Sequence, residues 1–256
     1  MGGKYLDALL ETAAGFPACR SCMYVETGSA ALCSRCAART LEPLAHKDAR
    51  CGICDQPYQL GEDECRNPLC NAGWRMFDWN YAIAMRTTVL KNVIGLYKYG
   101  GHRRWAAIFG RILAGFLEEH ETLFSEFDLI VASPTYLGHG GRTFDHTRDV
   151  LAAADIEAPG RWPFDIIGTP AIVQTAATTK MARIRTYQER KEKAQTELRD
   201  ALSVPDPART SGKAILVYDD LFTNGLVLNE VARALVEDGG AERVCGVTLA
   251  REPWTR

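Results

Sequence analysis

The sequence predicts an α/β protein: a doubly wound parallel sheet with helices on both faces, preceded by a small cysteine-rich metal module. Three observations predict it. Eight of the nine cysteines fall between Cys19 and Cys70, in paired spacing. Beyond Trp79, apolar runs of strand length alternate with segments of helical period, the pattern of parallel strands joined by helical crossovers. One of those runs ends in two acids and a glycine-containing turn ahead of a helix, at the end of the sheet where open α/β folds hold ligands.

The bulk properties narrow the class further. The 256 residues are 46% hydrophobic and 24% charged, the balance of a globular protein. A formal charge of −2 provides no global basic field to mark a nucleic-acid binder. No run approaches the ~18 uncharged apolar residues of a membrane span. Residues 1–10 lack a charged region followed by a long apolar stretch, so no signal peptide is evident. The expectation is a cytoplasmic protein with no membrane partner.

Residues 4–14 read as a short helix with Leu6, Leu9, Leu10 and Ala13 on one face. Residues 17–78 carry the cysteines with Gly, Pro, Asn and Asp and show no long periodic run. The expected division is therefore 1–78, a helix and a cysteine module, and 79–256, the sheet domain. Residues 83–99 and 103–119 have apolar spacings of three and four and read as two helices, parted at Gly100-Gly101. Residues 128–133 read as a buried strand, 144–154 as a helix and 164–173 as a second strand. After a charged stretch at 175–199 come a strand at 214–218, a helix at 226–238 and a last strand at 243–249.

The cysteine spacing is Cys19-x2-Cys22, ten residues, Cys33-x2-Cys36, then Cys51-x2-Cys54, ten residues, Cys65-x4-Cys70. Without a secretory signal this reads as metal rather than disulfide. Each C-x2-C turn presents two thiolates to one ion, and two turns complete a tetrahedral four-cysteine zinc site. The doubled spacing predicts two structural Zn2+ ions paired in series, with interleaved pairing as the alternative. An iron–sulfur reading lacks the usual C-x2-C-x2-C run. Two loaded sites, eight thiolates against two Zn2+, would take the formal charge from −2 to −6. Arg20, Arg35, Arg39, Arg50 and Arg66 read as local counter-charge to them rather than as a nucleic-acid patch. His46, between the two units, reads as a surface side chain.

The chemistry-bearing segment is Ala214-Ile-Leu-Val-Tyr-Asp219-Asp220-Leu-Phe-Thr223-Asn224-Gly225-Leu-Val227. Such a loop places backbone N–H groups and a helix N-terminus at the carboxyl end of the sheet, and Gly225 permits close approach of backbone to a phosphate. Acids beside an anion nest need another partner, such as sugar hydroxyls. This arrangement resembles the PRPP-binding motif of type I phosphoribosyltransferases, a hydrophobic strand followed by D-D-x-x-T-T-G-x-T. The wider resemblance is to the ComF-type (competence protein F-like) family, in which a zinc ribbon precedes such a domain. It extends over the cysteine module, Tyr97-Lys98-Tyr99-Gly100, Ser133-Pro134-Thr135, Arg142-Thr-Phe-Asp145-His146, the 219–225 loop with its helix, and Leu249-Ala-Arg251.

The resemblance implies that Asp219 and Asp220 hold the ribose 2′- and 3′-hydroxyls, that Thr223, Asn224 and Gly225 cradle the 5′-phosphate, and that Ser133, Pro134 and Thr135 form the pyrophosphate loop. It places Lys180, Arg183 and Arg185 in the loop that closes over pyrophosphate, with Mg2+ bound alongside PRPP. Asn224 and Val227 stand where the motif has Thr. Only seven residues follow Leu249, so the hood over such a site is expected from the cysteine module and residues 73–100. The implied activity is phosphoribosyl transfer from PRPP to a nitrogen nucleophile. The alternative is a non-catalytic PRPP or nucleotide sensor of the competence type, with a protein or single-stranded DNA partner at the zinc module. Among smaller signals, His146 reads as part of a capped helix start, Cys245 as a core residue and Trp254 as a packing residue. Gly212-Lys213 lacks the flanking residues of a Walker loop.

Overall fold

The computed structural model describes residues 49–58, 64–86, 88–137, 142–181 and 184–252. Cys19, Cys22, Cys33, Cys36, His46, Arg183, Trp254 and the expected helix at 4–14 lie outside them. The elements run β1 (Asn80–Met85), α1 (Thr88–Tyr99), α2 (Trp105–Glu119), α3 (Glu121–Phe124), β2 (Leu129–Ala132), α4 (His146–Glu157), β3 (Val173–Gln174), α5 (Tyr187–Lys193), β4 (Leu202–Ser203), β5 (Ala214–Phe222), α6 (Leu226–Arg233) and β6 (Arg243–Arg251). Helix α5 runs on through a π turn at Ala194–Leu198, and α6 through one at Ala234–Asp238.

Four strands form a parallel sheet in the order β1-β6-β5-β2. Burial on both faces explains why β5 and β6 read as nearly unbroken apolar runs. Ala214, Leu216 and Tyr218 of β5 join the cluster that holds Leu90 and Val93 of α1, Ile112 and Leu113 of α2, and Val150 and Leu151 of α4. Ile215 and Val217 face the other cluster, with Leu226 and Val231 of α6 and Ala194 and Leu198 beyond α5. Helices α2 and α4 meet closely at Gly110, where a Cβ would come within 2.6 Å of Ala153.

Three expectations are corrected. The helix expected over 83–99 begins only at Thr88; residues 80–85 form β1, paired with β6 from Asn80↔Gly246 to Met85↔Arg251. The strand expected over 164–173 reduces to one parallel bridge, Ile130↔Phe164, and the two-residue β3, which pairs with β4 antiparallel. Gly168 in the left-handed region, φ 69°, followed by Pro170, breaks the run between them. The acids Asp219 and Asp220 lie within β5, which continues to Phe222 rather than ending before them.

The described part of the cysteine module packs directly on the sheet domain. Cys51, Cys54, Leu69, Cys70 and Phe77 share the second cluster with Val131, Ile215 and Leu226. The module also covers edge strand β1: Asn80 N–H donates to the Ile53 carbonyl at 2.7 Å, and Ala82 N–H to Asp55 Oδ2 at 2.8 Å. Those bonds occupy edge groups that would otherwise be open to another strand.

Candidate functional site

Strand β5 carries the site because its carboxyl end lies between β6 and β2 and runs straight into the turn that starts α6. Asp220 is buried and paired with Lys98 of α1, Nζ to Oδ2 at 2.7 Å. His146, the first residue of α4, places Nε2 3.7 Å from the other oxygen of Asp220. Burial raises the Asp220 carboxyl, but Lys98 and then His146 outweigh it and hold the group well below the usual carboxylate range. Asp219 makes no ion pair among the described residues, and the charge of Lys98 lowers it only in part. Burial first, then the charge of Asp220, push it up to about 7. Asp219 Oδ1 accepts from the Asp220 N–H at 2.8 Å. The pair is therefore asymmetric, one acid firmly ionised and its neighbour poised near neutrality.

His146 is held from three sides. Its carbonyl accepts from the Tyr97 hydroxyl at 2.6 Å, and Nδ1 lies 3.3 Å from Thr135 Oγ1. Burial, then the charge of Lys98, lower its pKa. Its Nε2 and the Tyr218 hydroxyl are both buried without a hydrogen-bond partner among the described residues. The expected helix cap is present as well: Asp145 accepts from Arg148 N–H at 3.1 Å.

Ser133, Pro134 and Thr135 form the loop leaving β2. Ser133 N–H continues the ladder to the Tyr218 carbonyl at 2.8 Å, and the Ser133 carbonyl accepts from Thr147 Oγ1 at 2.7 Å. Tyr99 is half exposed at the mouth, with Lys180 Nζ 5.5 Å from its ring centroid. Burial raises the Tyr99 hydroxyl, but Lys98, Arg142 and Lys180 together bring it below its ordinary value. Arg185 is exposed and makes no contact with the site among the described residues, and the charged stretch after it becomes α5.

The turn Thr223-Asn224-Gly225 follows. Gly225 has φ 83°, and a Cβ there would meet Phe222 Cζ at 2.6 Å and Leu69 Cδ2 at 3.0 Å. Asn224 Oδ1 accepts from the Leu226 N–H at 3.2 Å, bracing the turn into α6, whose N-cap is Gly225. Its side-chain carbonyl is thus engaged and its Nδ2 remains available. Val227 packs partly buried against the second apolar cluster. The N–H groups of Thr223, Asn224 and Gly225 donate to no protein acceptor among the described residues.

The cysteines form the second constellation. Sγ–Sγ separations are 3.9 Å for Cys51–Cys70, 3.6 Å for Cys54–Cys65 and 3.7 Å for Cys65–Cys70, and all four sulfurs lie within 4.8 Å of one another. A tetrahedron with Zn–S bonds of about 2.3 Å has edges of about 3.8 Å, so the four sulfurs fit one zinc ion. The 51–70 half of the cysteine run closes on itself, as series pairing requires. Ile53 N–H points at Cys51 Sγ, 3.4 Å away. Hydrogen bonds from the neighbouring thiols, Cys51 first, with Arg251 nearby, push Cys54 far toward thiolate. Cys245 lies apart in the core, raised to about 12 mainly by burial.

Two participants were missed in the sequence as site residues, His146 and Lys98. Lys98 had a signal in its Tyr-Lys-Tyr-Gly setting; its partner Asp220 is 122 residues away.

The fold and the two constellations define an α/β protein with an acid pair, Asp220 buried and Asp219 partly so, before a glycine turn, and a four-cysteine knuckle that could hold one metal ion packed beside it. Over 220 residues the chain is 23% identical to "Competence protein ComFC" of Streptococcus pneumoniae (strain ATCC BAA-255 / R6), covering 78% of this chain and 87% of the relative. That similarity supports a place among ComF-type proteins. No family model matches the chain. No helix among the described residues is long and apolar enough to cross a membrane.

Proposed function

We propose that the protein binds PRPP, or ribose 5-phosphate, with Mg2+ and transfers the phosphoribosyl group to a nitrogen nucleophile. The observation that carries this reading is the adjacency of the two acids to three backbone amides, at a left-handed glycine, that have no acceptor among the described residues. Hydroxyl acceptors beside a phosphate nest suit a ligand with both groups, a phosphorylated sugar.

In this reading Asp219 and Asp220 accept from the ribose hydroxyls, and Thr223, Asn224 and Gly225 donate to the 5′-phosphate. Lys98, Lys180 and the Ser133–Thr135 loop face the diphosphate. Mg2+, bound together with the diphosphate, would need few protein ligands and would supply charge neutralisation at the leaving group. The C1–O bond to diphosphate breaks and its electron pair leaves with that group; a nitrogen lone pair forms the new C1–N bond, and the nitrogen proton goes to solvent. Positioning and charge stabilisation supply the acceleration. A second reading, binding without turnover, is favoured by Val227, which packs against the apolar core instead of offering a hydroxyl. The relative's name supports a role in competence; a protein or single-stranded DNA partner at the cysteine module is part of the proposal and rests on no comparison.

Calorimetric titration with PRPP and Mg2+, and pyrophosphate release with candidate bases, test the proposal. Asp219→Asn with Asp220→Asn is expected to weaken PRPP about tenfold or more, since hydrogen bonds to charged groups contribute roughly 1.5–3 kcal/mol each. Failure of the folded wild type to bind PRPP or ribose 5-phosphate overturns it. Binding without pyrophosphate release leaves the second reading.

A further inference from the structure

Arg251 is the largest fully buried side chain of the described residues, at 0% exposure, and neither acid of the site touches it. It ends β6 between the cysteine knuckle and the turn before α6. Toward the knuckle, Nε donates to the Cys54 carbonyl at 3.0 Å and Nη2 lies 3.6 Å from Cys54 Sγ. Toward the turn, Nη1 donates to the carbonyls of Phe222 at 3.2 Å and Thr223 at 2.5 Å, and also to that of Glu252. Its guanidinium carbon sits 4.8 Å from the Phe222 ring centroid. Among the described residues its partners are carbonyls and one sulfur, with no carboxylate. A buried guanidinium needs nearby negative charge, and a zinc ion bound by four thiolates, formally −2, is the source at hand.

A second contact repeats the pattern. Asn67, between the ligands Cys65 and Cys70, donates from Nδ2 to the Asn224 carbonyl at 3.2 Å. Three successive carbonyls, of residues 222, 223 and 224, are thus held from the knuckle side. In a trans peptide the C=O and the following N–H point opposite ways. Fixing those carbonyls therefore turns the N–H groups of Thr223, Asn224 and Gly225 away from the knuckle, toward the open side of the turn. Leu69 closes the third contact, against Gly225.

We propose that Arg251 and Asn67 are positioning residues that aim the 223–225 amides, and that the metal state of the Cys51/Cys54/Cys65/Cys70 site controls ligand binding through them. The ligand side of this inference rests on the phosphorylated-sugar reading above. With the ion bound, Cys54 and Asn67 are fixed and the three peptide planes share one orientation. Without it the four sulfurs no longer hold Cys54 in place, and Arg251 loses two of its anchors.

The test uses the full chain and amide hydrogen exchange at three reporters whose acceptors belong to the turn: Glu252 N–H to Phe222 O, Leu226 N–H to Asn224 Oδ1 and Asn229 N–H to Gly225 O. Chelation of zinc is expected to speed their exchange on the order of tenfold more than that of Val131 and Val217, in the sheet. Zinc-loaded Asn67→Asp, isosteric but without the Nδ2 donor, and Arg251→Lys are expected to speed the same amides and to weaken ribose 5-phosphate by about tenfold, within the usual range of site-to-site coupling. By reciprocity, saturating ribose 5-phosphate must raise the equilibrium affinity for zinc, read by competition with a chelator, by the factor by which zinc raises the affinity for ribose 5-phosphate. Reporter exchange that is unchanged in both zinc-loaded variants overturns the proposal, whether or not the stripped protein stays folded. If the reporters respond but no phosphorylated sugar binds the loaded wild type, the coupling stands and the ligand reading fails.

Discussion

Lys98→Met isolates the ion pair at the heart of the site. The Lys98 and Asp220 side chains are 13% and 7% exposed and 2.7 Å apart, so the pair counts as buried. Removing one partner of such a pair costs about 3–5 kcal/mol, because the other charge is left without compensation. His146 Nε2, 3.7 Å from the same carboxylate, can turn its unused N–H toward it and offset part of that loss. The expected destabilisation is about 2–4 kcal/mol at pH 8, read by denaturant unfolding. The pH dependence has a definite sign. In the wild type Asp220 is depressed, so its pairing stabilises the fold above the ordinary carboxylate range and is lost as pH falls through the folded value. In the variant burial dominates and raises the group, so the deficit relative to wild type is largest at pH 8 and shrinks toward pH 5. Lys98→Met with Asp220→Asn removes the stranded charge and is expected to recover most of the loss. A Lys98→Met protein within about 0.5 kcal/mol of wild type at pH 8, or a double variant no more stable than the single one, refutes the reasoning; the lower bound is that of ordinary surface substitutions.

Two further outcomes are expected. Gly225→Ala forces a side chain into φ 83° and drives its Cβ to 2.6 Å from Phe222; the left-handed conformation alone costs roughly 1–2 kcal/mol, so thermal unfolding should drop by about 2–8 °C, and an unchanged midpoint would show that the turn relaxes freely. Cys65→Ser, at the least buried of the four ligands, should lower bound zinc by one equivalent per chain and reduce the midpoint of the sheet domain as well, because the knuckle shares its core; elemental analysis beside thermal unfolding decides both halves.

What could be read from the sequence follows how local each signal is. The β5 run, its acids and the turn into α6 lie within fourteen consecutive residues, so strand, nest and helix start were all legible. The four cysteines of the second unit lie within twenty residues, with spacing that fixes their chemistry. Strand β1 was not legible. Asn80–Met85 passes into α1 with no glycine or proline between them, and buried residues at 82, 83 and 84 destroy the alternation that marks a half-buried strand. Only its partner β6, about 160 residues later, makes it a strand. The 164–173 run failed in the opposite sense: its apolar residues are those of a strand, but Gly168 and Pro170 permit no ladder. Lys98, His146 and Arg251 acquire their roles from partners 122, 74 and 197 residues away, a separation that periodicity does not sense.

These long-range partners divide the work at the end of β5 by face. On the α1/α4 face, Lys98 and His146 meet Asp220 and set which acid is ionised. On the knuckle face, Arg251 and Asn67 hold carbonyls and set where the amides point. Asp219 stands between, raised to about 7 and in no ion pair among the described residues. A ligand that brings its own positive charge would favour the ionised form of Asp219, and Mg2+ on a diphosphate is such a ligand. The protein alone leaves this acid half-charged because burial and the charge of Asp220 outweigh the pull of Lys98, whose ammonium pairs with Asp220 instead. Affinity for the magnesium complex of PRPP should therefore rise with pH through about 7, and Asp219→Asn should flatten that rise even if some binding survives. A wild-type affinity that is flat from pH 6 to pH 8 would mean that Asp219 does not meet the ligand as a carboxylate, and would leave hydroxyl recognition to Asp220.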